Sequence, residues 1–500
     1  MDFLLTRYRI NKSRYLTFAP FVVVIVFNII FYVLGYGLSP DSVYYVSVAK
    51  NFTSFSTLFG FDSTFLDQYP PIYSLFLLPG VYIPLNVWIF ILNSIFSSFL
   101  VKIFLCICKL LKIGHVKSVF IILAYTFSVF YIEIYSMVWS ETIFNLIFLS
   151  VVFYLLRVVS SKEVLARDLI VLITLVWLAL GIRYIGLVLI PVIFIVFLYK
   201  FRKLFLVTAY SLFACLPVAG YFTHYSAHGL GIFGTRYSST VDFRSSLLMV
   251  PRAIGSAFLP TRFQALVLIC GLIILALLGI LFFASFKDLN LVILTLIIII
   301  YLAALVYSEF RTQVDPINAR LLSPIAPLLF IFFALVLQKT FNESICFSVI
   351  PGMVVLMILL LTANGAHLLF NLTRENSNSV GVIHTLNETI KSEYAPSSHP
   401  PIFSTNPWRT YVETGIQPIY YLPTTTNYYN PPDKLAKDIV RLVRVLTNDQ
   451  STFFYCYDNL SVCADYLRIR KLHWSMVSES LRDGSDTKLF LISKKPLSKK

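Results

Sequence analysis

The chain has 500 residues, with 40 Lys+Arg against 25 Asp+Glu and a formal net charge of +15. Hydrophobic residues make up 58% and charged residues only 13%, about half the roughly 25% charged content of a soluble domain. That balance excludes a soluble globular enzyme and a disordered chain. The basic excess lies mostly in short connections between apolar runs, so no nucleic-acid partner is expected.

Charge divides the chain in two. Residues 1–370 hold 37 of the 65 charged groups, and residues 371–500 hold the other 28. The first part reads as embedded in a lipid bilayer, the last part as a water-soluble module. Apolar runs near the length of a spanning helix recur at 18–38, 84–108, 117–134, 140–157, 168–182, 185–199, 204–222, 264–286, 289–307, 321–338 and 344–370. The expected fold class is therefore mainly α: a polytopic membrane helix bundle of about 11 spans, followed by a small C-terminal α/β domain. In the tail, 401–404, 419–422, 452–457 and 488–493 read as strands, and 434–446 and 459–472 as helices.

Orientation follows the Lys/Arg bias of short loops. Arg7, Arg9, Lys12 and Arg14 mark a cytoplasmic amino terminus, and every second connection is also basic, as at Lys109, Lys112 and Lys117. The opposite side gathers carboxylates: Asp41, Asp62, Asp67, Glu133, Glu141, Asp242, Glu309 and Asp315. An odd number of spans puts the C-terminal domain outside the cytoplasm. Cys456 and Cys463 are near enough in sequence to pair there; the other cysteines show no metal spacing.

The first outer loop, 39–71, is the richest stretch. Ser39 suits a helix N-cap and Pro40 the first helical position, which places Asp41 in the first turn of a surface helix bearing Tyr44 and Tyr45. The positive helix end favours an ionised carboxylate, able to accept a proton from a hydroxyl or to hold a metal ion; starting the helix is its other reading. The loop closes with Asp67-Gln68-Tyr69-Pro70-Pro71-Ile72-Tyr73. That is either a turn back into the membrane or an aromatic wall for a sugar or isoprenoid.

These features resemble the GT-C glycosyltransferases, above all the protein O-mannosyltransferases and the bacterial aminoarabinose transferases of lipid A. Later segments fit the same pattern in order: Trp139-Ser140-Glu141-Thr142-Ile143-Phe144; the corner Arg183-Tyr184-Ile185-Gly186; and Asp315-Pro316-Ile317-Asn318-Ala319-Arg320-Leu321-Leu322-Ser323-Pro324. Ser404-Thr405-Asn406-Pro407 and Tyr421-Leu422-Pro423 are similar to the outer domain of such bacterial proteins. Two positions depart. Gln68-Tyr69 stand where the aminoarabinose transferases carry Glu-Lys, and Asp41-Ser42 where the mannosyltransferases carry Asp-Glu.

The resemblance implies a glycosyltransferase domain over 1–370 and an extracytoplasmic α/β domain over 371–500. It implies a polyprenyl-phosphate-linked sugar donor and a lipid, glycan or protein acceptor hydroxyl. Transfer would occur on the outer face of a bacterial inner membrane. Asp41 and Glu141 become the catalytic candidates. Arg183 and Arg320 are the donor-phosphate candidates, with interfacial anchoring as their alternative. Tyr44, Tyr45, Tyr69, Tyr73, Tyr184 and Asp315 are candidate substrate contacts. A divalent metal ion is a candidate cofactor, with Asp41 and Asp67 as its ligands. The competing function is a transporter or flippase of lipid-linked or polar solutes, disfavoured by acidic residues that gather on one face and by the lack of matching halves. A reporter fused after residue 380 is expected to be active only outside the cytoplasm; activity inside would reverse the orientation.

Overall fold

The computed structural model describes residues 2–52 and 69–340, apart from 162–165, 202–203, 228–238, 240, 257, 260–262, 285–287 and 313–315, together with five β-strands beyond residue 400. The eleventh expected span, both expected tail helices, Asp67, Asp315 and Cys463 lie outside the described residues. Contacts divide the chain into two compact units, Met1–Gly37 with Leu66–Leu369 and Leu38–Phe65 with Phe370–Lys500.

In the first unit the helices follow the apolar runs. Helix α1 (Asp2–Leu34) buries Val24, Phe27 and Phe31 at helical spacing and leaves Phe18, Val22 and Val33 exposed. Asn28 is buried between them, donating to Val24 O (2.8 Å) and to Ser97 Oγ (3.1 Å). Apolar residues on the outer side and a polar link on the inner side are what a lipid-facing helix requires. Helix α2 (Pro40–Lys50) belongs to the second unit. Then come α3 (Ile72–Leu77) and α4 (Leu85–Leu110), the latter opening after Pro84.

The expected span 117–134 is broken. It forms α5 (His115–Thr126) and α6 (Val129–Tyr135), bent by 55°. The reason is local: Thr126 Oγ1 donates to Leu123 O (2.8 Å) and Ser128 Oγ to Tyr125 O (2.6 Å), so side-chain hydroxyls take carbonyls at the break. Helices α7 (Glu141–Ser160) and α8 (Ala166–Ile182) follow, then a 3-10 turn at Tyr184–Val188 and α9 (Leu189–Phe201).

The expected span 204–222 is also interrupted, into α10 (Leu204–Ala214) and α11 (Leu216–Ala227). Pro217 has no N–H to offer the carbonyl four residues back. Trp177 of α8 supplies the missing donor, its Nε1 reaching Phe213 O at 3.0 Å.

Helices α12 (Phe243–Ser256), α13 (Gln264–Ala284), α14 (Leu289–Arg311), α15 (Ala319–Leu322) and α16 (Ala326–Thr340) complete the unit. The expected span 321–338 is thus split near Pro324, with Pro327 in the first turn of α16.

Among the described residues, four helices are long and apolar enough to cross a membrane, or five with the bent pair: 17–34, 85–110, 141–160, 289–311 and 115–135. The chain is a multi-pass membrane helix bundle, mainly α.

Helices α12 and α13 cross backbone to backbone. A Cβ at Gly271 would lie 1.8 Å from Pro251 O, and one at Gly255 would lie 1.9 Å from Val267 O. Small residues at such crossings replace the hydrophobic driving force that lipid does not supply.

The second unit holds α2 and a mixed sheet. Its strands are β1 (Ile402–Ser404), β2 (Tyr420–Tyr421), β3 (Thr452–Cys456), β4 (His473–Ser480) and β5 (Thr487–Ser493), in the order β2-β1-β3-β5-β4. β1 runs parallel to β2 and β3, while β5 is antiparallel to β3 and β4. Four strands fall on the short β-like runs that the sequence marks as strands; β4 carried no such expectation.

Gly271→Leu is expected to separate α12 from α13 and to lower the thermal midpoint in detergent, by the roughly 1–3 kcal/mol typical of overpacking. A midpoint equal to the wild type would contradict the close crossing.

Candidate active site

Three helix ends meet around one carboxylate. Glu141 opens α7 and is 1% exposed. Its Oε1 accepts from both Arg183 Nη1 and Arg320 Nε, forming a buried ion triad. Ser140 Oγ donates to Glu141 Oε2 at 3.3 Å and lies 3.5 Å from Arg183 Nη1. Arg320 stacks on Trp139, its guanidinium carbon 4.3 Å from the ring centroid. The Arg183 side chain is 20% exposed and that of Arg320 only 8%.

Local chemistry explains why these residues arrive at one place. Helices α7 and α8 are sequential, so the start of one lies at the same end as the finish of the other. Arg183 follows the last turn of α8, its N–H on Ala179 O at 2.9 Å. The 3-10 turn after it needs Gly186, because a Cβ there would lie 2.9 Å from the Ala179 carbonyl carbon. Helix α3 packs onto the same corner: a Cβ at Gly181 would lie 2.1 Å from Ile72 Cδ1.

Arg320 arrives on α15, whose N-cap Asn318 accepts from Leu321 N at 3.1 Å. The segment before Trp139 is tied to the exit of α1. Gly37 N donates to Ser136 O (2.9 Å) and Val138 N to Gly37 O (3.1 Å).

Asp41 lies in the second unit. As the sequence predicts, Ser39 caps α2 and Pro40 opens it. Ser39 and Ser42 form a reciprocal capping box, with Ser42 N on Ser39 Oγ at 3.3 Å and Ser39 N on Ser42 Oγ at 3.0 Å. Asp41 is 5% exposed, in the first turn of α2. Tyr45 is buried and Tyr44 half-buried.

Of the other expected contacts, Tyr73 is buried on α3, while Tyr69 and Tyr184 are half-buried beside α3 and Arg183 in the chain. The structure therefore brings together Glu141, Arg183 and Arg320. Trp139 and Ser140, which no spacing rule marked as site residues, join them; their signal was adjacency to Glu141.

Both oxygens of Glu141 are engaged. Among the described residues no group of three His, Cys, Asp or Glu could hold an ion, and Asp67, one of the two expected metal ligands, lies outside them. What the triad offers is two guanidiniums held around one buried carboxylate, with the Glu133 carboxylate in electrostatic reach of Arg320 and Glu141. Paired guanidiniums of this kind are able to receive an anion.

Solved structures of similar architecture bear on this geometry. Two of them are ArnT from Cupriavidus metallidurans bound to undecaprenyl phosphate and the same protein in its apo state. The first matches with a TM-score of 0.62 at 12% identity, covering 94% of this chain and 97% of that one. The second gives 0.59 at 13%, with coverage of 94% and 97%.

The chain has the ArnT fold. ArnT is an aminoarabinose transferase of the GT-C type, so the fold agrees with the resemblance carried by the sequence motifs. No protein-family model matches the chain, and no curated protein does. At this identity ArnT aligns with the chain end to end through architecture, not through long runs of identical residues.

Glu141→Ala is expected to remove the carboxylate that the two guanidiniums share. The cost should approach the roughly 3–5 kcal/mol of breaking a buried pair, read as a lowered thermal midpoint. Glu141→Gln should fall between. A Glu141→Ala midpoint equal to the wild type would contradict the triad.

Proposed function

We propose that this protein is a membrane glycosyltransferase that takes a sugar from an undecaprenyl-phosphate-linked donor. It delivers the sugar to a hydroxyl of a lipid, glycan or protein on the outer face of a bacterial inner membrane. The observation that carries this reading is the likeness over nearly the whole chain to a protein solved with undecaprenyl phosphate, joined to a preorganised pair of arginines.

The reaction follows from charge. A phosphodiester-linked sugar carries one negative charge, which the guanidiniums of Arg183 and Arg320 can meet. As the bond between the anomeric carbon and the phosphate oxygen breaks, the phosphate gains a second negative charge. Attraction to Arg183 and Arg320 therefore grows toward the transition state, which is the requirement for catalysis rather than mere binding.

Asp41 takes the proton of the acceptor hydroxyl as general base, and the acceptor oxygen bonds to the anomeric carbon. Glu141 and Trp139 orient the guanidiniums and keep their charge in place while the donor is absent. Tyr44, Tyr45, Tyr69, Tyr73, Tyr184 and Asp315 supply the sugar and lipid contacts.

The test is a transfer assay in membranes with labelled undecaprenyl-phosphate sugars. Asp41→Asn is expected to lower transfer by about 10²–10⁴-fold, the usual loss of a general base. Arg320→Ala should lower it by about 10²–10³-fold, as for a lost anion donor. Unchanged transfer in Asp41→Asn would remove that residue from the mechanism, and unchanged transfer in both variants would remove the reading.

A further inference from the structure

Glu309 is buried, 2% exposed, in the last turn of α14. Its position has three costs. It is removed from water, it sits at the negative end of a helix dipole, and no cation among the described residues pairs with it. An apolar residue would be the better lodger unless the carboxylate holds something in place.

A backbone contact shows what it holds. Glu309 Oε1 accepts the N–H of Ile317 at 3.4 Å. Ile317 lies three residues before Arg320. Two turns earlier on the same face of α14, Tyr301 donates its hydroxyl to Leu321 O at 2.8 Å. Residues 301, 305 and 309 share that face by helical spacing. One face of α14 thus holds the arginine-bearing segment on both sides of Arg320, at points about 12 Å apart along the helix axis.

We propose that Glu309 and Tyr301 are positioning residues that clamp the Ile317–Leu321 segment and so set the Arg320 guanidinium where it receives the donor phosphate. The proposal rests on the reading of Arg320 as a phosphate ligand. Neither residue touches the substrate. Side-chain length at 309 matters more than charge, because the partner is a neutral backbone N–H. Gln can replace Glu, whereas Leu cannot.

The test uses the purified full-length protein in detergent and undecaprenyl phosphate as the probe, with Kd read by thermophoresis and folding by monodispersity and thermal midpoint. Glu309→Leu and Tyr301→Phe are each expected to weaken binding by about five- to tenfold, the range of one lost hydrogen bond. Glu309→Gln should stay within about twofold. The double variant Glu309→Leu/Arg320→Ala should bind no more weakly than Arg320→Ala, since the effect passes through Arg320.

Wild-type Kd in Glu309→Leu beside weakened Arg320→Ala would overturn the clamp and leave the functional reading standing. Additive loss in the double variant would also overturn it. Wild-type Kd in Arg320→Ala would instead bring down the functional reading itself. If Glu309→Leu does not fold, Tyr301→Phe and Glu309→Asp decide: binding by both as in the wild type overturns the clamp.

Discussion

The structure turns on a single buried carboxylate shared by two guanidiniums. Alone, Glu141 would be an uncompensated charge in an apolar bundle, and Arg183 and Arg320 would repel each other. Together they form a buried ion triad, stacked on Trp139 and tied to Ser140. Three distant stretches of chain must converge for it to exist. The unit therefore acts as a constraint on how α7, the end of α8 and α15 pack.

Broken helices make that convergence possible. Continuous spans would carry their polar groups inside their own backbone ladders and present few ends. Here the chain stops and restarts at Phe127–Ser128, at Cys215 and at Ser323–Ile325. The freed backbone groups described above find partners in Ser128 and Trp177 side chains. In lipid each such break would cost several kcal/mol if left unsatisfied. The breaks that remain are those the protein can satisfy locally, and the break before α16 carries Arg320.

The chemistry proposed for the site is economical for a membrane enzyme. A donor anchored by its own lipid needs no nucleotide-binding loop, and the sequence has none. In the proposed reaction the phosphate gains charge as its bond to the sugar breaks, so the attraction to Arg183 and Arg320 is larger in the transition state than in the bound donor. The general base proposed there, Asp41, lies in a helix start capped by its neighbours Ser39 and Ser42.

Sequence alone determined what depends on neighbouring residues. The membrane class followed from runs of apolar side chains, the cap of α2 from Ser39-Pro40-Asp41-Ser42, and four strands from short β-like runs. Each is a property of a few consecutive residues, so it survives without knowledge of the fold. The corner at Arg183 was legible as a short motif, Arg183-Tyr184-Ile185-Gly186, while the close approach that requires Gly186 came from the structure. Tertiary structure decided the rest. Glu141 and Arg320 are 179 positions apart, and no local pattern states that they share a hydrogen bond. Expected spans proved broken because hydropathy counts apolar residues and does not register Ser and Thr bonding to nearby carbonyls, or a single proline within an apolar run. The assignment of Glu141 as a paired carboxylate, and of α14 as the helix that holds the arginine segment, came only from packing. Packing alone fixes which buried charges face one another across a bundle, because a charge in a low-dielectric interior is costly unless a partner reaches it in three dimensions.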